Sequence, residues 1–255
     1  MRYKVTVSYD GANYCGWQVQ PNGVSVQSVI EEVLTRINKK KVYIVGSGRT
    51  DALVSAAGQV FHFDSEINMT EGQWLKAMNS LLPKDIRIMK VEEVNDEFHA
   101  RYDAKWKKYR YTVNMGEYDV LNYKHELEYN ERLDVRTMRK AASYMVGTHD
   151  FRAFNANSLQ EKPNQIRTIY EIKIQERNNK LTMTFTGDGF MRYMVRMLSQ
   201  TLIEVGRKRV KPERIKTLLE RGNKNSIPYN AKAEGLCLVE VGYTPFRLNL
   251  GEDND

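Results

Sequence analysis

One order of sequence periodicities occurs twice in this chain, and that repetition limits its fold more than any composition does. Residues 2–10, RYKVTVSYD, alternate apolar and polar side chains with period two, the pattern of a half-buried strand. SVQSVIEEVLTRINKK (25–40) puts Val26, Val29, Ile30, Val33, Leu34 and Ile37 on one helical face behind a capping Ser25. KKVYIV (40–45) and AGQVFHFD (57–64) read as strands, TEGQWLKAMNSLL (70–82) as a helix opened by a Thr70/Gln73 capping box, and DIRIMKVEEV (85–94) as a strand. The second half begins with a strand over 102–115 and a helix over 134–147 that ends on Gly147. A hairpin follows over 166–187, turning at RNNK, then a long helix over 190–206, a further helix over 211–222 and a closing strand over 235–243. Both halves therefore run β-α-β-β-α-β, the second with one extra helix. The expected class is α+β: two ferredoxin-like halves, 1–103 and 104–245, with mostly antiparallel strands and helices on one face. A cleft between two such halves is a natural binding place. The acidic end, 246–255, reads as a tail.

Composition narrows the partners. A net charge of +7 favours polyanions such as RNA or DNA, although a solvated basic surface accounts for it equally well. Cys15 and Cys237, far apart and alone, read as free thiols of a reducing, cytoplasmic compartment. No apolar run approaches the roughly 18 residues of a membrane span, so no membrane partner is expected. His62, His99, His125 and His149 are scattered, none with a second His or Cys at ligand spacing, so no metal is expected. GDG at 187–189 lacks the remainder of a phosphate loop, and no nucleophile elbow with a Ser-His-Asp order occurs.

Three stretches carry chemistry. SGRTDALVSA (47–56) follows a strand and sets Arg49 and Asp51 among apolar residues, a poor turn and an unusual surface loop. It is built to hold a charge in a sheltered place. Arg196 lies in a helix whose Met191, Met194, Val195, Met197, Leu198, Leu202 and Val205 leave little of it polar. A buried guanidinium there needs a carboxylate; Asp51 and Glu204 are candidates, and snorkelling to the surface is the other solution. In AKWKKYRY (104–111), Lys105, Lys107, Lys108 and Arg110 interleave with Trp106, Tyr109 and Tyr111. Cations seat phosphates and aromatic faces stack on unpaired bases, whereas an edge strand guarded by lysines would show the same letters. Alternation puts Lys107, Tyr109 and Tyr111 on one face, Lys108 and Arg110 on the other.

Together these stretches resemble one family over nearly the whole chain, the TruA-type tRNA pseudouridine synthases. The matching segments are YDGANYCGWQVQPNGVSVQSVIEEVL (9–34), GRTDA with GQVFHF, FHARYDAKWKKYRY (98–111), GFMRYMVR with TLIEVG, and AEGLCLVEV (233–241). The resemblance implies a continuous sheet shared by both halves, a homodimer, a basic cleft for tRNA, and isomerisation of uridine to pseudouridine in the anticodon stem-loop. It implies no cofactor and no metal. Asp51 takes the place of the catalytic aspartate, Arg196 that of the arginine paired with it, and Tyr109 that of the tyrosine stacking on the uracil. Arg49 matches the loop arginine that helps flip the base, and Leu236 the leucine packed against it. Lys105, Lys107, Lys108 and Arg110 are the expected phosphate contacts. An arginine beside Asp51 is expected to depress its pKa. A non-catalytic tRNA-binding paralogue on the same scaffold is the rival reading, and retention of Asp51 with Arg196 argues against it.

The chain also departs from that pattern. DAGVHA reads DALVSA here, with Leu53 for a glycine and Ser55 for a histidine. In the helix motif, Met197 stands for an asparagine and Gln200 for a glycine. A glycine after the Asp-Ala could hold a positive φ that leucine adopts only at a cost, so the loop is expected to take another path, with negative φ at Leu53. These changes are expected to bear on substrate choice rather than on chemistry.

Overall fold

A computed structural model describes residues 1–223, 226–227 and 230–248. The first half consists of β1 (Arg2–Tyr9), α1 (Val26–Asn38), β2 (Val45–Gly46), β3 (Ser55–Asp64), α2 (Glu71–Leu81) and β4 (Ile86–Val94). The second consists of β5 (Trp106–Asn114), β6 (Leu127–Glu128), α3 (Val135–Met145), β7 (Gly147–Asp150), β8 (Ile166–Arg177), β9 (Lys180–Gly187), α4 (Met194–Gly206), α5 (Arg214–Arg221) and β10 (Leu236–Gly242). All strands join one sheet in the order β4-β1-β3-β10-β5-β9-β8-β7, with β2 on β3 and β6 on β5. The halves meet where β10 lies parallel to β3 through Cys237↔Ser55 and Leu238↔Ala56, and antiparallel to β5.

Residues directly opposite in a ladder share a face. Ile86, Tyr9, Ala56, Leu238, Tyr109 and Phe185 stand opposite one another strand by strand, forming a buried row across both halves. The helices cover this face. In the first half, Tyr3 and Phe63 pack against Trp74 of α2 at ring distances of 5.5 and 5.1 Å. In the second, α3 lies on α4 and β8, with Met138 against Gly206. The chain passes between halves over the opposite face. There the Ala100 amide donates to Nδ1 of His62, and the Tyr243 hydroxyl donates to the Ala100 carbonyl. Burial holds the His62 imidazole down to about 4.

Local chemistry sets the element ends. The side chain of Ser25 caps α1, and Thr70 with Gln73 forms the expected capping box of α2. The strand expected over 40–45 is reduced to Val45–Gly46. Side chains of α1 satisfy its backbone instead: the Ile44 amide donates to buried Glu31, and the Val42 amide to Thr35. The helix expected to end on Gly147 stops at Met145, and Gly147, at φ 109°, opens β7. The long helix begins at Met194 rather than Phe190, because Tyr193 adopts φ 62°. Of the expected tail, residues 249–255 lie outside the described residues.

Candidate active site

The 47–56 loop is sheltered because several elements clamp its backbone. Gln59, a buried amide in an apolar strand, donates to the Gly48 carbonyl and accepts from the Ser47 hydroxyl. The Thr50 hydroxyl bonds Tyr9 Oη at 2.8 Å, and the Thr50 carbonyl accepts from the Trp17 amide. Gly16, at φ 93°, permits that approach, since a Cβ there would lie 2.7 Å from the Thr50 oxygen. The Leu53 amide donates to the Tyr14 carbonyl.

Leu53 itself sits at φ 67°, which corrects the expected negative angle. The clamps on both flanks fix the path, so the leucine takes a left-handed conformation, at a cost of about 1–2 kcal/mol. Its side chain is 38% exposed and fills no core position. Ser55 Oγ accepts from the Gly11 amide at 3.0 Å, so the serine ties β3 to the chain leaving β1.

Asp51 is half-buried and meets Arg196 across the seam between halves, Nη1 to Oδ2 at 3.2 Å. Arg196 is fixed from its other side, where Nε donates to the Ala231 carbonyl at 2.7 Å. Burial raises the Asp51 pKa, against lowering by Arg196 and, less, by Arg192. The net direction is upward, which corrects the expectation of a depressed pKa: loss of water outweighs one guanidinium. Tyr109 is buried edge-on against Phe190, with ring centres 5.3 Å apart, and its pKa is raised by burial and then by Asp51. Leu236 is buried opposite Tyr111, whose hydroxyl donates to the Lys232 carbonyl beside the Arg196 anchor. Arg49 is exposed at the tip of the loop.

The basic residues of β5 separate. Lys107 does not face solvent: its ammonium donates to the Ser47 carbonyl at 2.8 Å, beneath Gly48, where a Cβ would come within 2.5 Å of Nζ. Burial, then Arg101, lowers its pKa to about 8. Its expected phosphate role therefore gives way to holding the loop. Lys108 and Arg110 lie on the opposite face of the sheet from Tyr109, and Lys108 is paired with Glu240 at 3.1 Å. Lys105 is exposed where the crossing segment ends.

Sequence reasoning missed the clamps, Gln59, Tyr9 and Thr50, although all three stand inside quoted motifs. A lone amide in an apolar strand was the available signal for Gln59. It also missed Arg192, whose charge reaches the aspartate, and Phe190, which packs on Tyr109.

Two segments, residues 5–103 and 141–244, match the tRNA pseudouridine synthase family. The chain belongs to that family, a class of isomerases. Among its relatives, tRNA pseudouridine synthase A of Exiguobacterium sibiricum is 43% identical over 243 residues, 95% of this chain and 96% of that protein. tRNA pseudouridine synthase A 1 of Bacillus cereus is 41% identical over 244 residues, 95% of this chain and 98% of that protein.

Proposed function

We propose that the protein isomerises uridine to pseudouridine in the anticodon stem-loop of tRNA, with Asp51 as the catalytic carboxylate. The observation that carries this reading is the Asp51–Arg196 pair, closed across the seam, with the buried ring of Tyr109 near enough for Asp51 to raise its pKa. The reaction breaks the C1′–N1 bond, turns the uracil and rejoins it through C5. The proton on C5 leaves and N1 gains one, so the composition is unchanged and no cofactor is called for. A carboxylate that ionises beside a fixed guanidinium can serve as nucleophile or base, and desolvation makes it more reactive than in water.

The uridine must leave its stack to reach Asp51. Tyr109 offers a ring for the extruded uracil, Leu236 packs beside it, and exposed Arg49 holds the displaced strand. Lys105 is the β5 cation that remains a phosphate contact for this strand, while Lys108 and Arg110 would meet RNA only on the other face. A homodimer and a cytoplasmic location complete the reading, as membership of the family implies.

Release of tritium from tRNA carrying 5-labelled uridine tests it. The wild-type chain should release label. Asp51→Asn should release none while binding tRNA with little change, since affinity rests mainly on phosphates. Binding without release by the wild type would make the protein a tRNA-binding paralogue. Release by Asp51→Asn near the wild-type rate would remove the carboxylate from the mechanism.

A further inference from the structure

The entry to α4 is shaped in a way that helix formation does not require. Tyr193, the residue before Met194, sits at φ 62° and ψ 2° with no side-chain cap. A bulky residue rarely adopts that conformation unless its surroundings fix it. Here they do: the Arg192 amide donates to Asn157 Oδ1 at 3.0 Å, the Ala156 amide to the Arg192 carbonyl, and the Met197 amide to the Tyr193 carbonyl. The turn brings the Tyr193 ring to two cations at once. The guanidinium carbons of Arg192 and Arg196 each lie 4.9 Å from its centre, and Arg192 Nη2 donates to Tyr193 Oη at 3.3 Å.

The two arginines then differ. Arg196 is engaged by Asp51 and Ala231. Arg192 is exposed and, among the described residues, makes no ion pair, yet it stands near enough to Asp51 to favour the ionised carboxylate. It is a cation held in position at the mouth of the site with its charge free. A strand that delivers a base to Asp51 must bring its own phosphates past that mouth, and unneutralised phosphates would repel the carboxylate. A planar guanidinium, oriented in advance by an aromatic ring, suits a phosphate's oxygens better than a lysine does.

We propose that Arg192 is a further substrate-binding residue, gripping a backbone phosphate of the RNA next to the extruded nucleotide, and that Tyr193 is the positioning residue that aims it. The inference rests on the proposed isomerisation of an extruded uridine. It explains why the chain holds a tyrosine in a strained turn where an ordinary cap would start the helix.

The test uses the full chain with bulk tRNA transcribed with 5-tritiated uridine, read as release kinetics and as binding across a salt series. Arg192→Gln should raise KM about tenfold with kcat within about twofold, as loss of a charge-assisted bond made equally in bound and transition states requires. Its binding should lose about 0.7–0.9 from the slope of log affinity against log salt, the signature of one phosphate. Arg192→Lys should restore the slope and only part of the affinity. Tyr193→Phe should behave as wild type, and Tyr193→Leu should raise KM. Both Arg192 substitutions are at an exposed side chain and remove no core contact. An unchanged salt slope in Arg192→Gln, or a loss confined to kcat, would overturn the inference while wild-type release leaves the proposed function standing. Absence of release by the wild type would overturn both.

Discussion

Replacing Lys107 by methionine gives a stability difference that changes with pH in a calculable way. The ammonium is buried beneath Gly48, makes no ion pair among the described residues, and has its pKa lowered from 10.5 to about 8. Between those two values the unfolded chain holds a proton that the folded chain has released. Stability contributed by this site therefore rises with pH through the window, by about 3 kcal/mol in full and by about 2 kcal/mol between about pH 7 and about pH 9.5. Lys107→Met has no such group. The buried tyrosines Tyr9, Tyr109 and Tyr111 titrate alike in both proteins, so they cancel when the two are compared. Urea unfolding of both proteins at the two pH values measures the effect. The wild type should gain on the variant by about 2 kcal/mol at the higher pH. A difference constant within about 0.5 kcal/mol would refute a buried, charge-disfavouring position for Lys107. The variant should also turn over more slowly, because the Ser47 carbonyl loses its donor and the loop carrying Asp51 loosens.

Three other outcomes follow from the site. Arg196→Met removes a group that opposes the upward shift at Asp51, so the acid limb of the pH profile of kcat/KM should move to higher pH; an unmoved limb would assign Arg196 to packing. Tyr109→Phe should stay within a few-fold of wild type, whereas Tyr109→Leu should lose about 1–3 kcal/mol of transition-state binding in steady-state kinetics; equal loss in both would give the hydroxyl a chemical role. Leu53→Gly should relieve more strain at φ 67° than the entropy that glycine adds to the unfolded chain, a net gain of about 0.5–1 kcal/mol, read as a melting temperature higher by about 2 °C; a lower one would show that the leucine contributes packing.

The doubled element order was legible because both halves have helix faces and alternating strands several residues long. What escaped reading were places where a side chain from elsewhere replaces a local rule. Lys41–Ile44 has strand letters, but its backbone is satisfied by Thr35 and Glu31 of α1, a tertiary choice that no window on the segment displays. Phe190–Tyr193 continues a helical pattern, and contacts with Ala156 and Asn157, more than thirty residues away, help to hold the turn that delays α4. At the site, the residue types in Asp51, Arg196 and Tyr109 were visible as charges and a ring in unusual company. The direction of the Asp51 shift was not, since it depends on how much water the seam excludes. Alternation placed Lys107 on the face of Tyr109 but could not show that Ser47 would close over its ammonium.

The parallel pairing of Ser55 and Ala56 with Cys237 and Leu238 has a consequence for the order in which the chain is made. By the time β4 leaves the ribosome, the loop bearing Asp51 already has its strand, its Gln59 clamp and its Tyr9 clasp. Neither the guanidinium of Arg196 nor the Ala231 carbonyl that anchors it beside the aspartate yet exists. Among the described residues β10 is the last strand synthesised, and it lies between two earlier strands, one from each half. The Asp51–Arg196 pair can thus close only after α4 has been made, so that a chain truncated before it would carry the Asp51 loop without the guanidinium that the proposed mechanism sets beside it.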